Sequence, residues 1–367
     1  MESNARAILL IGDGMADRPV AALGGRTPLD AADTPNMDRL AREGESGLMD
    51  PIAPGVRAGS DTGHLAILGY DPYKVYTGRG PFEAAGIGME VSRGDVSFRC
   101  NFSTVDENLT VLDRRAGRIA EGTDQLAAAV NGIKIGDVTF LFKESVAHRG
   151  ALVMHGPGLG AQLSDIDPHR ENEGILESHP LDPNDAASKK TADLLNQWVR
   201  RTYEILKDHP VNKARVAQGL APANIILPRG VGFAPDIEEF DTLHDVASAC
   251  VVETGLIAGI ARYIKMDLIE VPEATGGLDS DLMAMGEAVL KALEDHNFVL
   301  CNMKGPDVAG HDGDGQAKVA VIQRIDEVVG YLLENLGEND VLVVTADHST
   351  PCSYMDHSGD SVPIVFW

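Results

Sequence analysis

The chain has 367 residues, with 31 basic and 56 acidic side chains, a formal net charge of −25, and 44% hydrophobic content. That length predicts two domains, or one large core with an insertion. The charge argues against nucleic acid and against anionic membrane surfaces as partners, because both bind through Lys and Arg. No apolar run approaches the roughly 18–20 residues of a transmembrane helix. The run Ala7–Gly12 is too short for a signal-peptide core, and Cys100, Cys250, Cys301 and Cys352 form no CxxC pair, so a cytoplasmic protein without a disulfide scaffold is expected.

Ala7 to Ile11 is a continuous apolar run, the pattern of a strand buried on both faces of a parallel sheet, and it ends in Gly12-Asp13-Gly14. Thr34-Pro35 reads as a helix start, with Thr34 as the cap and Pro35 in the first turn. Between about residues 96 and 221, short alternating runs such as 138–142 and 151–154 lie among polar stretches such as 164–184. This middle region is expected to be an inserted α+β domain, 96–221, with 1–95 and 222–367 forming the core.

Further on, 298–303 reads as a strand followed by a loop rich in Gly, Asp and His. Residues 315–336 read as a helix, with Val319, Ile322, Ile325, Val328, Val329 and Leu332 at three- and four-residue steps. Val341 to Val344 is another buried strand, leading to Asp347-His348. Strand, helix, strand with short connections predicts a mainly parallel α/β sheet flanked by helices. Functional groups in such sheets gather beyond the C-terminal strand ends, where Asp13, Asp307 and Asp347 all fall. The chain stops at Pro363–Trp367, inside what reads as an apolar strand, so a short tail is expected to be missing.

Asp13, Asp307, His311, Asp347, His348 and His357 offer carboxylate and imidazole from several strand ends, a donor set that suits zinc, manganese or iron. Any one of them alone is more ordinarily a cap or a loop residue; their common placement favours a metal site. Ser60, in Gly59-Ser60-Asp61-Thr62-Gly63-His64, follows a glycine and precedes an apolar stretch. A hydroxyl at a helix N-terminus becomes an anion more readily, and a divalent metal would lower its pKa further. An ordinary helix-capping serine would have the same spacing. Gly156-Pro157-Gly158-Leu159-Gly160 lacks the full dinucleotide-loop spacing, and there is no GxxxxGK[ST] segment. The insertion is locally basic, with Arg93, Arg99, Arg114, Arg115 and Arg118, then His148-Arg149 and His169-Arg170. Arginine forks bind phosphate and carboxylate in bidentate geometry, although any single arginine is as readily plain surface.

These residues carry a resemblance. Ile11-Gly12-Asp13-Gly14-Met15, 59–64, 307–311, Asp347-His348 and His357 match the pattern of the alkaline phosphatase superfamily. The segments 68–72, 76–88, 113–118, 164–170, 276–279 and 304–307 are similar to the archaeal-type cofactor-independent phosphoglycerate mutases. The resemblance implies an alkaline-phosphatase-like α/β core. It also implies interconversion of 3-phosphoglycerate and 2-phosphoglycerate in glycolysis and gluconeogenesis, without 2,3-bisphosphoglycerate. Two divalent metals are implied, manganese first, with magnesium, cobalt or zinc as alternatives. By matched position, one metal is held by Asp307, His311 and His357, and the other by Asp13, Asp347, His348 and the Ser60 oxygen. Gly63 stands where that family often has Ala, a change without obvious chemical cost.

The expected chemistry is attack of Ser60 on phosphorus, a phosphoserine intermediate, and return of the phosphoryl group to the other hydroxyl of glycerate. Candidate substrate contacts are His64, Arg99, Arg114, Arg115, Arg118, His148, Arg149, His169, Arg170 and Lys304. A mutase must keep water from the phosphoserine, which fits a clamping insertion. The alternatives are a phosphohydrolase or phosphonate-processing enzyme of the superfamily, a mutase of another phosphorylated substrate such as a phosphopentomutase, and a silent metal-binding scaffold. The small-molecule substrate is the expected partner. The oligomeric state stays open, a homo-oligomer included.

Overall fold

The computed structural model describes residues 5–367. Its strands are β1 (Ala7–Gly12), β2 (Glu45–Met49), β3 (Val96–Val105), β4 (Val111–Asp113), β5 (Ile133–Ile135), β6 (Val138–Glu144), β7 (Arg149–His155), β8 (Ile225–Phe233), β9 (Ser248–Val252), β10 (Asp267–Glu270), β11 (Phe298–Met303), β12 (Val341–Thr345) and β13 (Val362–Phe366). The chain divides into two compact units, one made of residues up to Val75 with Ile237–Trp367, the other of Tyr76–Asp236.

The first unit is built on one sheet in the order β10-β9-β11-β1-β12-β13-β2. β1 pairs in parallel with both β11 and β12, and β9 in parallel with β10 and β11. β13 runs antiparallel to β12 and to β2. Ile8 and Leu10 of β1 lie in one apolar cluster with Val299 and Cys301 of β11, and with Ile325, Val328, Val329 and Leu332 of the helix Gly315–Asn335. Leu9 and Ile11, on the opposite face of β1, are buried as well, and a strand buried on both faces must be apolar along its whole length, so the run does not alternate. The Asp314 carboxylate accepts from Gln316 N and Ala317 N and so starts the long helix.

Two local expectations change. Thr34 precedes the helix Pro35–Glu43, but its side chain makes no capping bond; the Asp326 carboxylate, distant in sequence, accepts from Met37 N at 2.7 Å and Asn36 N at 3.2 Å instead. The segment after β11 is not a loop but a short helix, Gly305–His311, with Lys304 at its N-cap. Lys304, Asp307 and His311, three and four residues apart, therefore share one face.

The second unit holds an antiparallel sheet in the order β4-β3-β7-β6-β5, with β8 paired to β3. Phe98, Phe102, Phe140 and Phe142 from its strands meet Trp198 of the helix Ala186–Leu206 in one apolar cluster, and the Phe140 and Trp198 rings stack at 5.7 Å. The boundaries at 75/76 and 236/237 differ from 95/96 and 221/222. The reason is pairing: β8 bonds along most of β3, and the helix Gly80–Gly86 runs so close to β3 that a Cβ on Gly80 would meet the Ser97 carbonyl. Neither element carries a composition change that marks it as part of the insertion. No helix among the described residues is long and apolar enough to cross a membrane.

Candidate active site

Three parallel strands end at one edge of the first unit's sheet. Asp13 follows β1, Asp347 and His348 follow β12, and Asp307 sits on the helix after β11. Ser60 opens the helix Ser60–Ile67. Asp13, Asp347, His348, Asp307 and Ser60 are all buried. Ser60 Oγ lies 3.1 Å from His348 Nε2 and 3.4 Å from Asp13 Oδ1. His348 Nε2 lies 3.3 Å from Asp347 Oδ2. Beside this group, Asp307 Oδ1 is 3.4 Å from His311 Nε2 and 3.4 Å from His357 Nε2, and the two imidazole nitrogens are 3.2 Å apart. The rings of His348 and His357 stack at 3.7 Å, so the two groups are continuous.

The imidazoles are oriented by their other nitrogens. His311 Nδ1 lies 3.0 Å from Met355 O, and His357 Nδ1 lies 3.1 Å from Ala58 O. A ring nitrogen facing a carbonyl must be the N–H donor, which leaves each Nε2 as the free acceptor pointing inward. His348 Nδ1 is 3.0 Å from Thr350 Oγ1. Burial holds the His348 imidazolium down to about 3, so this ring is neutral. Burial, with Asp347 beside it, pushes the Asp13 carboxyl up to about 7, against the pull of Lys304. Asp347 is held below the ordinary carboxylate range: burial raises it, but His348 and His64 pull harder. Burial also lowers His357, yet Asp307 raises it above the ordinary imidazole value; a proton or a metal ion at Nε2 answers the same field.

Lys304 supplies the cluster's own cation. Its Nζ is 2.7 Å from Asp13 Oδ1, 2.7 Å from Asp307 Oδ2 and 3.3 Å from Ser60 Oγ. Burial lowers it, but the surrounding carboxylates hold it above the ordinary lysine range. The donor set fits divalent metal ions on the geometry itself. Carboxylate and imidazole acceptors converge without enough protons between them, and Asp347 Oδ2 is buried with no hydrogen-bond donor. The triads Asp13/Asp347/His348 and Asp307/His348/His357 each bring three ligand atoms within 4.8 Å of one another, as does His311/Asp356/His357. Asp356 is absent from the residues singled out in the sequence, although its place next to His357 could have flagged it.

His64 is placed differently from a substrate contact. It is fully buried, with Nδ1 2.7 Å from Ser60 O and Nε2 3.1 Å from Asn302 Nδ2, so both ring nitrogens are used inside the protein. It braces the turn that carries Ser60. Asn302 also donates to Asp13 Oδ2 at 3.1 Å, a role that a strand asparagine does not advertise in sequence. Gly63 is not a free position in this backbone either: a Cβ there would lie 2.5 Å from the Asp347 carbonyl.

The second unit gathers arginines on one region of its sheet. Arg99 on β3 stands directly opposite Arg229 on β8, a like-charge cross-strand pair that costs stability. Asp167 compensates by accepting from Arg114 Nε at 3.0 Å and Nη2 at 2.6 Å, and from Arg229 Nη1 at 2.8 Å. Glu83 accepts from Arg79 Nε at 2.8 Å and lies 3.5 Å from Arg99 Nε. Burial, with Arg79 beside it, lowers the Arg99 guanidinium to about 9. Burial, with Arg149 and Arg115 near, holds the buried His148 down to about 4. Arg149 and Arg115 make no ion pair of their own among the described residues, and neither does Arg118. His169 lies 3.4 Å from Arg114 Nη2 and 3.1 Å from Asp165 Oδ2. Arg170 instead makes an exposed pair with Glu173 at 3.6 Å, and is not drawn into this group. Arg79 and Arg229 are members that sequence reasoning missed. Arg229 becomes visible only through its register with Arg99.

A mainly parallel α/β sheet with carboxylates and imidazoles at its C-terminal edge, accompanied by a second unit of antiparallel strands, belongs to the alkaline-phosphatase-like class. Residues 171–358 match the type I phosphodiesterase/nucleotide pyrophosphatase family. Residues 41–212 match the family model of 2,3-bisphosphoglycerate-independent phosphoglycerate mutase. The 2,3-bisphosphoglycerate-independent phosphoglycerate mutase 1 of Methanothermobacter thermautotrophicus is 54% identical over 364 residues, which are 98% of this chain and 88% of that protein. The mutase of Methanosphaera stadtmanae is 52% identical over 362 residues, again 98% and 88%. The solved cofactor-independent phosphoglycerate mutase of Thermoplasma acidophilum matches with a TM-score of 0.68 at 38% identity, covering 99% of this chain and 89% of that one. A solved Pyrococcus horikoshii protein matches with a TM-score of 0.84 at 36% identity, covering 99% and 87%. The chain belongs to the 2,3-bisphosphoglycerate-independent phosphoglycerate mutases, a family of isomerases.

Proposed function

We propose that this chain interconverts 3-phosphoglycerate and 2-phosphoglycerate, without 2,3-bisphosphoglycerate, through a phosphoserine at Ser60. The observation that carries this reading is the Ser60 hydroxyl at a helix N-terminus, within 3.4 Å of Asp13, His348 and Lys304. Asp13, Asp347, His348 and Ser60 would hold one divalent metal, and Asp307, His311 and His357 a second, with manganese the first choice. Bound there, the ions would lower the serine pKa and offset the charge of the transferring phosphoryl group.

Ser60 Oγ attacks phosphorus in line, its proton passing to the acceptors beside it, and the bond from phosphorus to the glycerate O3 breaks as O3 takes up that proton. The glycerate O2 hydroxyl then gives its proton to the same acceptors and attacks the phosphoserine, and the bond to Ser60 Oγ breaks as the serine takes the proton back. The Ser60 proton faces Asp13 Oδ1 and His348 Nε2 as acceptors, and Lys304 sets a positive charge beside the nucleophile. The dipole of the helix that Ser60 opens adds to that field. The arginines around Arg99, Arg114, Arg149 and Arg229 are the proposed binding surface for the substrate anion, which a chain of net charge −25 otherwise repels. A cytoplasmic role in glycolysis and gluconeogenesis belongs to the same reading.

Replacing Asp167 by Asn should release Arg114 and Arg229 from their shared carboxylate. The expected outcome in initial-rate kinetics is a KM raised about tenfold, the equivalent of about 1.4 kcal/mol, with kcat and metal binding little changed. The proposal as a whole is tested by supplying the protein with manganese and 3-phosphoglycerate, omitting 2,3-bisphosphoglycerate, and following 2-phosphoglycerate and inorganic phosphate together. Isomerisation that stops on chelation and releases no phosphate is expected. The match of residues 171–358 to a phosphodiesterase family supports hydrolysis as the second reading; phosphate release in place of isomerisation would establish it.

A further inference from the structure

Thr350 occupies a position that the proposed chemistry leaves unexplained. Its hydroxyl lies 2.7 Å from Asp307 Oδ1 and 3.0 Å from His348 Nδ1. These two residues belong to different halves of the acidic and imidazole cluster. A hydroxyl has one proton to give. Asp307 Oδ1, which also faces His311 Nε2 and His357 Nε2, is the acceptor of the Thr350 hydroxyl. The Thr350 proton therefore goes to Asp307, and the hydroxyl oxygen accepts from His348 Nδ1–H. That bond leaves the His348 Nε2 lone pair directed at Ser60 and Asp347.

The backbone around Thr350 is shaped for this contact. Gly14, at φ +61°, would place a Cβ 2.5 Å from Thr350 Oγ1 and 2.8 Å from Asp307 Oδ1. A Cβ on Gly310, inside the helix that carries Asp307 and His311, would strike the Thr350 carbonyl. The Thr350 carbonyl also accepts from Lys318 Nζ at 2.9 Å. Lys318 is fully buried, and its other contacts are Asp17 Oδ2 at 2.8 Å and Ala16 O at 3.2 Å. An ammonium with all its donors used inside the protein fixes the main chain it holds. Its partner Asp17 accepts from Cys352 N as well, which clamps both sides of residue 350.

We propose that Thr350 is a positioning residue that couples the two metal half-sites, fixing the tautomer of His348 in one and the orientation of Asp307 in the other. The inference rests on the metal-binding reading above, and goes beyond it by assigning to one hydroxyl the joint loading of both halves. Loss of the hydroxyl frees the His348 ring to adopt the other tautomer, with a proton on the nitrogen that should face the metal. Outer hydrogen bonds of this kind change metal affinity by roughly 10–100-fold.

The test is titration of the metal-free protein with Mn2+ by calorimetry, for the parent and for Thr350→Val, Thr350→Ala and Thr350→Ser. Unfolding curves of the metal-free proteins run alongside. The parent is expected to bind two ions. Thr350→Val and Thr350→Ala should each lose about 10–100-fold in affinity at both sites, with KM for substrate unchanged at saturating manganese. Thr350→Ser, which keeps the hydroxyl, should stay within about threefold of the parent, a rescue that a purely space-filling role would not give. If Val and Ala bind as the parent does, or if Ser fails with them, the coupling role is overturned while the metal site stands. A parent that binds no manganese overturns the metal reading, and this inference with it.

Discussion

Ser60→Ala is expected to lower kcat by about 10⁴-fold or more, the scale seen when a covalent nucleophile is removed. The protein should still fold, because every hydrogen bond of the hydroxyl lies inside the cluster, with Asp13, His348 and Lys304. Alanine is also a good residue for the first position of a helix. Manganese binding should persist, since the charged ligands Asp13 and Asp347 remain. Initial rates and a metal titration on the same preparation check both halves of this expectation. A variant that keeps the parent's rate would remove Ser60 from the chemistry. A variant that loses both rate and metal would make the serine chiefly a ligand.

Lys304→Met should have its largest effect on the protein without metal. The ammonium bridges Asp13 and Asp307, and it helps, after His348 and His64, to hold Asp347 below the ordinary carboxylate range. Removing one partner of a buried ion pair costs about 3–5 kcal/mol, because the other charges are left without compensation. Three neighbouring carboxylates would then have to take up protons or repel one another. Metal-free Lys304→Met is therefore expected to unfold several degrees below the metal-free parent. Added Mn2+ should stabilise the variant more than the parent, since the ion no longer competes with a resident cation. Thermal unfolding with and without Mn2+ measures this directly. Equal gains in the two proteins would show that Lys304 is not in the cation position when metal binds.

β1, β11 and β12 are legible because strands covered on both faces must be apolar throughout, and Asp13 and Asp347 lie one or two residues beyond such runs. The helix Gly315–Asn335 is legible from its apolar period and its capping Asp314. What stays hidden depends on contacts distant in sequence. Asp326 caps a helix 290 positions away, a role that local pattern assigned to Thr34. Arg229 joins the arginine group through its register with Arg99. His64 looks like a site residue by its nearness to Ser60, but the helix turns its ring inward onto Ser60 O and Asn302. Thr350 sits two residues past His348 and draws no notice until Asp307 and Gly14 are placed around it.

On the proposed path of isomerisation the phosphoryl group rests on Ser60 between its two glycerate hydroxyls. The most direct measurement is acid quench of the manganese-loaded protein during turnover of 3-phosphoglycerate carrying a labelled phosphoryl group, followed by peptide mapping. Label is expected on the peptide that contains Ser60, appearing within the first turnover and passing into 2-phosphoglycerate. Label on a histidine, or isomerisation at full rate with no labelled protein at any quench time, would contradict it.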